Sequence, residues 1–87
     1  GKVIAFEVEK TVKTPKRYQA ILGNYAKMFL DKTVEQVVDI CPENIVKRLE
    51  RLFSNIETLI VDGKSYPVHE NVLKRIQFLS YDEWKNF

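Results

Sequence analysis

The sequence predicts one small α+β domain over residues 1–87, with the element order strand, helix, helix, helix, strand, strand, helix. Three observations carry that prediction. A short stretch rich in β-branched and aromatic residues opens the chain. Successive segments after it repeat their apolar residues at helical spacing behind capping residues. The dipeptide Asp62-Gly63 then lies between two β-rich runs, which is the strongest short-range hairpin signal. With 87 residues there is room for a single modest core. A hydrophobic fraction of 45%, including five Phe, four Tyr and one Trp, fills it, and three Gly with three Pro are too few for a disordered or fibrous chain.

Lys2–Glu9 reads as a strand, its Val3, Ile4, Ala5, Phe6 and Val8 interrupted by Glu7 and Glu9. Thr14 is a suitable N-cap and Pro15 a suitable first helical residue, because the missing N–H of proline has no intrahelical partner there. The helix is expected over Pro15–Leu30, with Tyr18, Ile21, Leu22, Tyr25, Met28 and Phe29 as its apolar stripe. Gly23 weakens that helix by roughly 1 kcal/mol relative to Ala, which points to close packing, expected against another helix. Thr33 and Gln36 fit a capping box for a short second helix whose inner face is Val34, Val37, Val38 and Cys41. Pro42 stops it and opens a third helix to Ser54, with Ile45, Leu49, Leu52 and Phe53 buried. Asn55 is expected as a left-handed residue after the helix end. Ile56–Val61 and Lys64–Val68 form the hairpin, with Pro67 marking an edge strand. A last helix from Glu70 carries Val72, Leu73, Ile76, Phe78 and Leu79 and restarts at Ser80 toward Trp84 and Phe87.

Several function classes drop out. The longest apolar runs, such as Val3–Phe6, fall far short of the roughly 20 residues that span a bilayer, so no membrane partner is expected. Lys2 is followed by an alternating stretch rather than an apolar signal core. A single cysteine, Cys41, forms no internal disulfide and builds no zinc site with the single His69, and its expected role is a small buried residue in a reducing compartment. The protein is expected inside cells: cytoplasm, nucleus or a virus-infected host. No glycine-rich phosphate loop, paired carboxylates or nucleophile–base pairing is recognisable, so neither catalysis nor a cofactor is expected, and His69 reads as a cap or packed side chain.

A formal net charge of +2 conceals an uneven distribution. Lys10, Lys13, Lys16, Arg17 and Lys27 occur in a stretch without one acid, and Lys47, Arg48 and Arg51 share one helical segment. Acids gather instead between Asp31 and Glu43 and at Asp82-Glu83. Such asymmetry permits a basic face for a polyanion.

The stretch Thr33–Val68 resembles the winged-helix branch of the helix-turn-helix superfamily. The carrying residues are the capped segment Thr33–Ile40, the turn Cys41-Pro42, the segment Ile45–Leu52 as recognition helix, and the hairpin Ile60–Lys64 as wing. The resemblance implies a protein that binds double-stranded DNA, a transcriptional or replication regulator, with the third helix in the major groove. Its groove-facing residues would be Asn44, Lys47, Arg48 and Arg51, with Lys64 at the wing tip. Lys13, Lys16 and Arg17 would add phosphate contacts. Glu43 at the helix start and the apolar Val46 depart from the DNA-binding pattern and favour an alternative, a protein–protein interaction module within a larger complex. Leu59, Val61-Asp62-Gly63-Lys64, Tyr66, Val68-His69 and Val72-Leu73 are similar to the opening hairpin and helix of BTB/POZ domains, which are protein-interaction modules. The aromatic residues Tyr66, Tyr81, Trp84 and Phe87 either pack on the first strand and helix or form a homodimer contact through the C-terminal helix.

Overall fold

A computed structural model describes residues 2–86. Its elements run β1 (Ile4–Val8), α1 (Pro15–Leu30), β2 (Gln36–Cys41), α2 (Glu43–Ser54), β3 (Thr58–Val61), β4 (Lys64–Pro67), α3 (Glu70–Leu73), β5 (Ile76–Ser80) and α4 (Tyr81–Lys85). The α+β class is as expected. The order of elements is not.

The stretch expected as a capped second helix holds β2, the central strand of a parallel sheet ordered β1-β2-β5. Ile4 pairs with Gln36 and Val8 with Ile40 on one side, and Val37 with Ile76 and Cys41 with Ser80 on the other. A central parallel strand is buried on both faces, so it reads as a continuous apolar run, and the β-branched Val37, Val38 and Ile40 suit that environment better than a helix. β5 is the second correction. The expected long final helix is one turn of α3, followed by the strand Ile76–Ser80, whose Phe78 and Leu79 are buried on opposite faces.

α1 forms as expected: Thr14 caps it by accepting the Arg17 N–H, and Pro15 opens it. α2 also forms, with Pro42 as its cap residue rather than its first turn and Ile45, Leu49 and Phe53 buried. Asn55 departs from expectation, sitting in the right-handed region at φ −96° and closing the helix through its N–H. Asp62 and Gly63 both have positive φ, 52° and 78°, as a two-residue hairpin turn requires. Ser80 is both the last residue of β5 and the cap of α4, where it forms a complete capping box with Glu83.

Two layers of packing follow from strand alternation. On one side of the sheet, Val37, Asp39 and Cys41 of β2 and Phe78 of β5 face α1 and α2, and the largest core cluster joins Cys41 and Phe78 to Tyr18, Leu22, Ile45, Leu49, Phe53 and Leu59. Tyr18, Phe53 and Phe78 stack in a chain with centroids 4.9 Å apart. On the other side, Ile4, Val38, Ile40 and Leu79 form a smaller cluster, and Trp84 of α4 meets Phe6 at 4.9 Å. The β3–β4 hairpin lies along α1 at Gly23. The close approach is to a strand rather than to the expected helix, since a Cβ at Gly23 would stand 1.8 Å from the Ile60 carbonyl oxygen. Phe87 lies outside the described residues.

Candidate functional site

Two features have the makings of a site: a basic stripe on α2 and a buried acid cluster beside the start of α1.

Asn44, Lys47, Arg48 and Arg51 are all exposed, and their spacing of i, i+3, i+4 and i+7 puts them on one stripe, away from Ile45, Leu49 and Phe53. Glu43 and Glu50, seven residues apart, line the edge of that stripe beside the half-buried Val46, each within one turn of Lys47. Among the described residues the ion pairs are Lys13 with Glu9 and Lys74 with Glu70, so none of the three bases of the stripe is neutralised by a partner.

The remaining expected contacts divide. Lys16 and Arg17 are exposed in the first turn of α1. That end of α1 adjoins the end of α2: Pro15 and Gln19 line one crevice with Asn55, Ile56, Glu57 and Thr58, and the Asn55 N–H bonds to the Arg51 carbonyl. Lys64 is elsewhere. The hairpin runs beside α1 from the Gln19–Thr58 hydrogen bond, at 2.8 Å, to a groove shared by Val61, Leu30 and Asp31. Its tip thus reaches the C-terminal end of a helix about 24 Å long, far from Lys16 and Arg17. Lys13 is occupied: its Nζ lies 3.0 Å from Glu9 Oε2. The hairpin packs on α1 rather than projecting beside α2, and with β2 in place of a helix no helix-turn-helix pair forms.

The acid cluster joins residues thirty positions apart in the sequence. Glu9, just past β1, is 6% exposed, and Asp39, in mid-β2, is 1% exposed. Glu9 is drawn inward because its N–H bonds to the Ile40 carbonyl at 2.8 Å, extending the β1–β2 ladder. Its Oε2 accepts from Tyr18 Oη as well as from Lys13 Nζ, while Tyr18 Oη accepts the Lys13 N–H at 2.9 Å. Asp39 stands between Glu7 and Phe78 in the sheet register, hydrogen-bonded to Glu9, with its Oδ1 unpartnered. Burial, the hydrogen bond to Glu9 and the charges of Glu9 and Glu7 push its pKa up to about 8, against the smaller opposing pull of Lys13. Burial likewise raises Tyr18 and Tyr25 above the usual phenol range and Cys41 to about 11, so the thiol is an inert core group. A cleft of about 410 Å³, lined by Glu7, Glu9, Lys13, Asn24 and Tyr25 among others, gives water access to Glu9. Asp39 within the run Val37-Val38-Asp39-Ile40 was the available signal, since an acid inside a two-sided apolar strand has nowhere to go but the core.

Among the described residues no group of three or more His, Cys, Asp or Glu is placed to hold a metal ion, and no helix is long and apolar enough to cross a membrane. His69 caps α3, its Nδ1 accepting the Asn71 N–H. No family model, curated protein or solved structure matches the chain.

Proposed function

We propose that this domain binds double-stranded DNA through the exposed face of α2, as part of a transcriptional or replication regulator. The observation that carries the reading is the single exposed stripe of Asn44, Lys47, Arg48 and Arg51, none of whose bases has an ion-pair partner among the described residues. Lys16 and Arg17 are exposed at the start of α1, next to the crevice that Pro15 and Gln19 share with the residues following α2. Arg and Lys on such a stripe hold phosphates or read guanine edges, and Asn reads adenine. The mode is an isolated helix on an α+β scaffold, without a helix-turn-helix partner or a projecting wing. Lys13 and Lys64 play no part in it, the first being paired to Glu9 and the second lying at the far end of the hairpin.

A titration with random-sequence duplex at two salt concentrations tests the reading. Lys47→Ala and Arg51→Ala are each expected to weaken binding without lowering Tm. A lost phosphate contact lowers the magnitude of the salt slope by roughly 0.9, while a lost base contact costs about 1–3 kcal/mol and relaxes sequence preference. Lys64→Ala serves as the control and leaves affinity unchanged. Equal effects from Lys64 and Lys47 would refute a site on α2.

The second reading, protein–protein contact in the form of self-association, is favoured by one observation. Val8, at the edge of the sheet on the α4 side, is 63% exposed, an apolar edge-strand position open to a second copy. Sedimentation of the free protein tests it, with a concentration-dependent dimer that Val8→Glu abolishes as the supporting result.

A further inference from the structure

The buried acids do more than fill space, whether or not the domain binds DNA. We infer that Asp39 and Glu9 form a one-proton latch that ties the connection Glu9–Thr14 and the first turns of α1 to the sheet, and that loss of the proton releases this connection.

The geometry supplies each part. Two carboxyl groups from neighbouring parallel strands meet in the layer between sheet and α1, both more than nine-tenths buried. Among the described residues one cation reaches them: Lys13, which itself sits in the connection, its Nζ 6.0 Å from the centroid of the Tyr18 ring. With a single proton on the Asp39 carboxyl, that group donates to Glu9, and the one remaining negative charge is matched by Lys13 and by the Tyr18 hydroxyl. Removing the proton leaves two buried anions against one cation. The groups facing Asp39 give no relief. Glu7 from β1 adds negative charge, Tyr18 and Tyr25 from α1 are neutral, Phe78 from β5 is apolar, and Cys41 on its own strand stays a thiol. Glu9 is the member at the cleft wall, so it is the one that swings into water, taking with it the bond to Tyr18 and the anchor of Lys13.

The sign follows from linkage. A carboxyl whose folded pKa lies above its ordinary 3.8 contributes stability that is complete below that value and is lost as pH rises through about 8. The latch is therefore shut in mildly acidic and neutral solution and opens under mild alkali.

The test is amide hydrogen exchange between pH 6 and pH 9, corrected for the intrinsic rate of exchange. In the wild-type protein the protection of the Glu9 and Lys13 amides, which bond to Ile40 and Tyr18, is expected to fall at least tenfold across that range, with the α2 amides unchanged. In Asp39→Asn, which still donates to Glu9 but carries no titrating proton, protection is expected to stay flat. A carbon-detected titration of the Asp39 carboxyl in the wild-type protein needs no variant, so it decides the matter even where Asp39→Asn fails to fold. A midpoint below pH 5, an unchanged exchange profile despite a high midpoint, or an identical pH response in Asp39→Asn would each overturn the latch.

Discussion

The two sides of the three-stranded sheet are covered very differently. One side carries two long helices and, across α1, a hairpin, whereas the other carries α4, a helix of five residues. The central strand hardly registers the difference: Val37 and Val38, on opposite sides, are both fully buried. The edge strand registers it fully. Phe6 and Val8 on the α4 side are 45% and 63% exposed, while Glu9 on the helical side is buried despite its charge. Position in the sheet thus decides burial for β2, and the covering element decides it for β1. Hydrophobicity alone predicts the reverse ranking for Val8 and Glu9. What inverts it is a tyrosine, a lysine and a second carboxyl that together satisfy the acid on the covered side.

The sharpest way to break this comparison is to lift the cover. Gly23→Ala places a Cβ 1.8 Å from the Ile60 oxygen and 2.7 Å from its carbonyl carbon, both backbone atoms that cannot rotate away. The hairpin must leave α1, and a loss of about 3 kcal/mol or more is expected in urea unfolding. A loss below about 1 kcal/mol would mean that the hairpin is not part of the cover. Next comes a matched pair of truncations. Leu49→Ala, on the helical side and fully buried, is expected to cost about 3–5 kcal/mol, and Leu79→Ala, at 6% exposure on the α4 side, about 2–3 kcal/mol. Equal costs would show that five helical residues cover a sheet as effectively as two full helices do. The smallest effect is expected at the junction holding α4 in place. Ser80→Ala removes the hydroxyl that accepts the Glu83 N–H and should cost about 1 kcal/mol, with loss of the near-ultraviolet signal of Trp84 preceding the main thermal transition.

Where chemistry was local, the sequence was readable. Thr14-Pro15 set the start of α1, Asp62-Gly63 set the hairpin, and Ser80 set the start of α4, because caps and tight turns depend on residues within three or four positions. β2 departs from the expected helix for a physical reason. Val34, Val37, Val38 and Cys41 fit helical spacing, and they equally fit a strand buried on both faces, since period means little once neither face is wet. Their β-branched composition was the tie-breaker available. The candidate site divides in the same way. The α2 stripe follows from spacing along one helix and was legible. Glu9 and Asp39 were not, because only the parallel register of β1 and β2 brings them together, and no local rule specifies which strands will be neighbours.

That register also sets the tempo of folding. The hairpin joins Val61 to Lys64, a closure of a few residues that proceeds in microseconds. Every rung of the sheet, by contrast, joins residues more than thirty positions apart, as Ile4 with Gln36 and Val37 with Ile76. Loop-closure entropy falls on β2 twice, once for each neighbour, before either pairing returns any contact. The hairpin and α1 are therefore early structures and the three-stranded sheet a late one. Its central strand stays incompletely paired, apolar and prone to aggregate until both neighbours dock against it, so the yield of refolding should fall with protein concentration long before native stability is at issue.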